Sequence, residues 1–467
     1  MFGGDSAAAA PTAEPTAAAS PAAASDSDSR ELSNANPGRD AFASGENTDN
    51  PLQIGGIYYQ QLNHRGASEG DNSLSAPTQL DIFLDGRPND RIRANVTGRL
   101  LYDSTKDSSG RSSVVPSGTG LPFYITSTTA AAGSNPSVVL DQAWLKFDMD
   151  HTVFVTAGKQ HVKWGTGHVW NPSDQLNPAR LDPLQPYDLR LGSNMIKFDA
   201  PLSAVRGNLS AAALLDNPQP AGKLQQVGGA FRAEGVILGA ELGADAVFRD
   251  GIAPDYGFDL STGLGSFDVY AEAAILSGDH SYPVLDALPN SGAALSSLYH
   301  EAGIEGHALQ AVAGLSYAFN YIPNRTATLV GEYFYNELGV EPALYPVLIF
   351  FGRYQAFYAG RHYAAAVINL EGPDASNKTN YSLSNIENIS DLSAVSRLDF
   401  SWKILDYLTF GAFGDLHWGS PGGEFNYTLR SPALIYDRHD GSLPRTISPI
   451  YVPLQPYDLG LSLRVSY

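Results

Sequence analysis

The sequence predicts an all-β chain, a transmembrane antiparallel up-and-down β-barrel of about 16–18 strands behind a disordered N-terminal segment. Three observations lead there. From Pro51 to the last residue, short stretches alternate apolar and non-apolar residues at period two, the mark of a strand with one greasy and one wet face. The wet faces carry charges such as Arg91, Arg93, Arg99, Glu241, Asp245, Asp268 and Glu272. A sandwich core would reject them, whereas a solvated sheet face or a barrel lumen accepts them. Finally, the longest apolar runs, such as Val347–Phe351, fall far short of the roughly 18–20 residues of a membrane helix. A closed barrel is then the membrane structure that satisfies every backbone group.

Residues 1–50 are Ala, Pro, Ser, Thr, Asp and Asn with almost no large apolar side chains. Such a segment cannot offset its ordering entropy by burial, so it reads as a low-complexity leader or tether. Its first twenty residues have neither a basic n-region nor an apolar h-region. Residues 51–467 form the second unit, the barrel.

Along that unit the strands follow in order. Leu80, Ile82 and Leu84 share one face. Ile92, Ala94, Val96, Gly98, Leu100 and Tyr102 oppose Arg91, Arg93, Asn95, Thr97 and Arg99. Ala143, Leu145, Phe147 and Met149 oppose Gln142, Trp144, Lys146 and Asp148. Val236 to Ala246 reads as one long alternating strand, and Phe267 to Ala273 and Val395 to Ser401 as two more. Between them, the segments 103–136, 165–192, 278–303, 337–354, 371–393 and 418–450 are rich in Gly, Ser, Asn, Pro and acid and read as long loops. The spacing is roughly 23–26 residues per strand, which suits a barrel with short turns at one end and long loops at the other. Tyrosines sit in or at the ends of strand candidates, among them Tyr58, Tyr59, Tyr102, Tyr270, Tyr333, Tyr407, Tyr457 and Tyr467. This fits an interfacial girdle as well as plain strand propensity.

Composition narrows function. Lys+Arg total 29 against 49 Asp+Glu, a net charge of −20, which argues against a nucleic-acid partner. Cys is 0, so thiolate metal sites, Fe–S clusters and cysteine nucleophiles are excluded. Gly (46) and Pro (30) are dense enough to disfavour long regular helices.

The last strand places Leu459, Leu461, Leu463, Val465 and Tyr467 on one face, with the aromatic at the final position. It resembles the terminal signal of bacterial outer-membrane barrels, which implies recognition by the barrel-assembly machinery. Residues 140–178 resemble a porin-like group of Gram-negative outer-membrane barrels through Gly158-Lys159-Gln160, Trp164-Gly165-Thr166-Gly167, Trp170-Asn171-Pro172-Ser173-Asp174 and Asn177-Pro178. Residues 256–275 share that look. The resemblance covers a minority of the chain and implies architecture more than cargo: bacterial outer membrane, lipid contact, passage of small hydrophilic solutes, and compatibility with a homo-oligomer.

Candidate channel-lining residues follow from the barrel reading. Lys159, His161 and Lys163 recur at period two and are expected on one strand face, toward the lumen or the interfacial zone, because lipid contact would cost each cation up to about 2–4 kcal/mol. Phe154, Val162 and Trp164 would then meet lipid. The following loop, 165–192, carries Pro172, Pro178, Pro183 and Pro186 with Arg180 and Arg190. It reads either as a constriction folded into the channel or as a surface loop. Arg91, Arg93 and Arg99 form a second cationic stripe, and Arg353, Arg361 and His362 lie near another. These favour anionic solutes or, alternatively, stiffen the wall by pairing with acids. PLQPYDL occurs at 183–189 and 453–459, and both copies are expected to pack alike.

Enzyme motifs are incomplete. Gly263-Leu264-Gly265 lacks a third dinucleotide glycine, and His300-Glu301 has Ile304 where a zinc-protease helix needs histidine. Gly314-Leu315-Ser316-Tyr317-Ala318 lacks the closing glycine of a nucleophile elbow. No catalytic residue, metal ligand or cofactor is expected. The leading reading is a non-enzymatic porin-like channel for passive diffusion of small hydrophilic, in particular anionic, solutes. The alternatives are a non-conducting barrel with a surface, adhesion or assembly role, and a rim-sited hydrolase using His280, His417 or His439. A soluble β-sandwich array stands further off.

Overall fold

The computed structural model describes residues 51–66, 72–105, 135–177, 179–185, 190–215, 227–249, 252–277, 281–285, 299–303, 306–345, 348, 354–374, 377–427, 429–431, 434–436, 445–447, 450–452 and 455–467. The expected leader 1–50, most of loops 103–136 and 278–303, and Arg353, His280 and His439 lie outside them.

The barrel strands are β1 Leu52–Gly66, β2 Pro77–Asn89, β3 Ile92–Asp103, β4 Ser137–Met149, β5 Val153–Gln160, β6 Ser193–Leu202, β7 Gly207–Leu214, β8 Gly228–Ile237, β9 Ala240–Arg249, β10 Ile252–Leu264, β11 Phe267–Ser277, β12 His307–Ile322, β13 Arg325–Asn336, β14 His362–Glu371, β15 Thr379–Asn388, β16 Ser393–Leu405, β17 Leu408–Gly419 and β18 Tyr457–Ser466. A short strand, Ser73–Ser75, pairs with β1 above β2. Every strand pairs antiparallel with its chain neighbour, and β18 returns to β1, from Ile57 opposite Ser466 to Gly66 opposite Tyr457. The chain is thus a closed 18-strand antiparallel barrel. At the seam the backbones of Gly56 and Tyr467 exchange N–H···O bonds of 2.8 and 2.9 Å. Closure leaves no free sheet edge, as a bilayer demands.

Period-two alternation fixes which face meets what. Ile82, Leu84, Val96, Leu145, Phe231, Phe258, Leu398, Leu459 and Leu461 all point outward and are exposed, whereas Asp81, Asp85, Arg99, Asp245, Asp259, Glu272 and Glu332 are buried inside. An apolar belt around the whole circumference far exceeds what a water-soluble monomer tolerates. It is the lipid-facing surface of a transmembrane barrel. Tyr58, Tyr102, Tyr333, Tyr407, Tyr457 and Tyr467 are exposed on this exterior, as a girdle requires, but Tyr270 turns inward and is buried.

The ends differ. Odd-numbered connections are mostly long; even-numbered ones are tight, and both chain ends of the barrel lie on the tight side. Asp150–His151 open a three-residue hairpin and Leu238–Gly239 tip a two-residue one, with positive φ at both positions in each, the left-handed geometry whose twist matches paired strands. The second turn corrects the single strand expected from Val236 to Ala246. The alternation runs through the bend because Ala240 pairs back on Ile237, so the pattern is that of a hairpin. The expected loop 371–393 is likewise corrected. It contains β15, whose Asn and Ser residues resemble loop composition while Tyr381 and Leu383 meet lipid and Ile386 turns into the interior.

Candidate functional site

The lumen is partly filled by loops folded into it. The described residues between 161 and 192, after β5, pack onto the inner wall: Val169, Trp170 and Leu184 join Tyr270, Val312, Phe334, Tyr363, Ala365, Ile386 and Val395 from β11–β16, together with Phe357 and Phe425 from two later loops. Val162, Trp164 and Leu176 form a second contact with Met195, Ala212, Leu214, Ala230 and Val247 of β6–β9. The inner faces of these strands are therefore apolar toward the loop end, unlike a bare aqueous channel.

Two wall carboxylates hold the loop. Glu272 accepts backbone N–H groups from Thr166 (3.0 Å), Gly167 (2.9 Å) and Ser173 (2.6 Å). Glu332 accepts those of His168 (2.9 Å), Val169 (3.1 Å) and Trp170 (2.7 Å), and the Tyr270 hydroxyl at 2.7 Å. Such charge-assisted bonds are about twice as strong as neutral ones. They also satisfy the backbone of a buried irregular segment, which could not otherwise exist there. The tight wrap requires glycine: Gly165 sits at φ 91°, and a Cβ on Gly167 would collide with the Trp170 carbonyl at 1.8 Å. Trp170 stacks on Phe334, centroids 5.4 Å apart, and donates its Nε1–H to the Phe357 carbonyl at 3.0 Å. The described residues of loop 165–192 thus fold inside the barrel.

A third carboxylate joins the later loops. Glu424 accepts the Phe357 N–H (2.6 Å), the Tyr363 hydroxyl (2.6 Å) and the Asn388 amide (2.8 Å), while its own N–H donates to Asp391 (2.8 Å). Burial pushes its carboxyl up to about 8, with the nearby Asp391 charge adding to the rise.

Between the loop and the wall lies a cavity of about 690 Å³ bordered by β1–β5, β13–β18 and the loop. Seven Lys or Arg side chains line it (Arg93, Arg99, Lys146, Lys163, Arg190, Arg397 and Arg464) against four Asp (Asp81, Asp141, Asp182 and Asp399). Arg99 is buried between Asp81 (3.0 Å) and Asp141 (3.2 Å). A register shift between β3 and β4 turns the adjacent Asp141 and Gln142 both inward, as a bulge does. Asp141 also meets His161 Nε2 at 2.8 Å.

Of the residues expected to line the channel, Arg93, Arg99, His161, Lys163 and Arg190 border this cavity. Three do not. Arg91 lies in the β2–β3 turn and pairs with Asp148 at 2.8 Å, because the strand starts one residue later. Arg180 is in the constriction loop but packs on Tyr358, 5.8 Å from its ring, and bonds Gln310 at 3.2 Å. Lys159 alternates with the lumenal Thr156 and Gln160 and so takes the outer face at the loop end of β5. The shared face expected for Lys159, His161 and Lys163 fails because β5 ends at Gln160; beyond it the chain leaves strand geometry. For the same reason Val162 and Trp164 are not lipid-facing but buried in the interior; Phe154, within β5 and on the parity of Thr156, lies inside beneath Lys146, 5.8 Å from its ammonium.

Leu459, Leu461, Leu463 and Val465 share the outer face of β18, paired on both sides, and Tyr467 follows its last residue. The expectation that the PLQPYDL copies pack alike falls mostly outside the described residues: of the equivalent positions only Gln185 and Gln455 are described in both. The anchoring roles of Glu272, Glu332 and Glu424 were not legible from sequence; most of the partners of Glu272 and Glu332 are backbone N–H groups, which leave no sequence signal. Lys146, Arg397 and Arg464 were legible as inner-face residues from strand alternation. His417 is buried on β17, two residues from its loop end.

No protein-family profile matches the chain, and no curated protein sequence does. Among solved structures it is similar to OccAB4 of Acinetobacter baumannii, with 8% identity, a TM-score of 0.48, and coverage of 90% of this chain and 98% of that one. It is also similar to OprB of Pseudomonas putida, with 10% identity, a TM-score of 0.47, and coverage of 91% and 97%. A mutant Rhodopseudomonas blastica porin gives 10% identity, a TM-score of 0.41, and coverage of 89% and 100%.

Proposed function

We propose that the barrel sits in the bacterial outer membrane and acts as a porin-like channel for passive diffusion of small hydrophilic solutes, with a preference for anions. The observation that carries this reading is the polar cavity beside the constriction, with seven cations and four carboxylates on its border. Fixed charge at a narrow, low-dielectric passage selects by sign. The even strand number and the turn-and-loop asymmetry support an outer-membrane setting. The apolar face of β18, from Leu459 to Tyr467, supports recognition by the barrel-assembly machinery.

A second reading is a barrel that does not conduct and serves at the surface or in assembly. It is favoured by the apolar packing of Trp170, Phe357 and Phe425 across part of the lumen. Reconstitution in planar bilayers separates the two. Discrete current steps with a reversal potential displaced toward anion permeation support the channel; folded barrels that carry no current overturn it.

A further inference from the structure

The cavity border carries a second pattern besides charge. Two of its guanidinium groups lie over aromatic rings: Arg93 is 5.6 Å from the Trp144 centroid, and Arg397 is 3.9 Å from that of Phe413. Carboxylates pin both. Asp85 holds Arg93 at 2.8 Å, and Asp399 and Asp415 hold Arg397 at 2.9 and 3.2 Å. Lys146 is the direct register partner of Arg93 across β3 and β4. Arg93, Trp144, Lys146, Arg397 and Phe413 all border the one cavity, which is large enough for a small organic molecule.

A guanidinium fixed between a ring and a carboxylate is a rigid, flat, cationic plate. A spherical inorganic anion gains only its charge. A planar π-system gains more, because delocalised rings stack on guanidinium planes and on aromatic faces, and little side-chain entropy is lost when the plate is already fixed. We propose that, among anions, this lumen favours those with a planar aromatic body, namely aromatic carboxylates. Their ring would rest at the Arg93–Trp144 pair, with their carboxylate drawn by Lys146, or at the Arg397–Phe413 pair. The inference rests on the channel reading above.

The test compares two probes of equal charge and similar bulk, benzoate and cyclohexanecarboxylate, as blockers of chloride current through the reconstituted full chain. Benzoate is expected to reach half-block at a concentration about threefold or more lower, the scale of one partly exposed ring–cation contact. Trp144→Leu combined with Phe413→Leu, checked for folding by heat-modifiable gel mobility, is expected to erase that difference. Equal block by the two acids in the wild-type protein overturns the inference without any variant. So does a difference that persists in the double variant. A folded barrel that carries no current overturns the channel reading as well, so the two failures are distinguishable.

Discussion

The Glu332 carboxylate accepts the backbone N–H of Trp170 at 2.7 Å across 162 residues of sequence. This single contact ties the centre of the constriction loop to the far wall of the barrel. Glu332 is 4% exposed and Trp170 fully buried, so neither is exchanged easily for water. Because Glu332 also holds the N–H groups of His168 and Val169, it fixes the loop as a unit.

Glu332→Gln keeps the shape but removes the charge and one acceptor oxygen. Loss of charge-assisted bonds of this kind costs about 1–3 kcal/mol. The expected result is a lower thermal midpoint together with larger conductance and greater open-channel noise, because the loop swings off the wall. Glu272→Gln should act alike through Thr166, Gly167 and Ser173. Unchanged conductance and noise in both variants would show that the loop does not set the aperture.

Trp170→Ala empties the centre of the lumenal cluster. A buried tryptophan lost in this way costs about 3–5 kcal/mol, offset here to the extent that water enters the barrel. Liposome swelling with sugars of graded size should report a higher exclusion limit than in the wild type. An unchanged limit would place the narrowest point elsewhere.

The two faces of β18 give a paired comparison. Leu461→Arg puts a cation on the lipid face near mid-strand, at a cost of up to about 2–4 kcal/mol. Ser462→Arg puts the same residue into the lumen, where Ser462 borders the cavity. Folding into lipid vesicles, read by heat-modifiable mobility, should fall sharply for the first and stay near wild type for the second. Equal yields would contradict the assignment of faces.

Glu424 makes the loop junction pH-dependent. Its carboxyl is pushed up to about 8 in the folded protein by burial, against about 4.3 in an unfolded chain. Between those values the folded state binds the extra proton, so stability falls as pH rises through the interval and levels off above it. Groups facing it include Asp391, Tyr345 and Tyr363, none of them cationic. Glu424→Gln, which mimics the protonated acid, should match the wild-type thermal midpoint at pH 5 and exceed it at pH 9. A constant difference between the two proteins across that range would remove Glu424 as the titrating group.

By itself the sequence determined the barrel. Period-two alternation from Leu80 to Val465, charged inner faces and the absence of a long apolar helix leave few other ways to satisfy backbone groups in lipid. Alternation is local and survives any global arrangement, so the strand face on which Arg93, Arg99 and the leucines of β18 fall can be read from it. Tertiary structure decided what fills the lumen. Where β5 stops, at Gln160, parity ceases to predict direction, and Lys159 separates from His161 and Lys163. The grip of Glu272 and Glu332 on loop backbone also has no residue code, since any residue but proline supplies an N–H. Only the closure that carries β11 and β13 to face residues 166–173 creates those bonds, and with them the constriction.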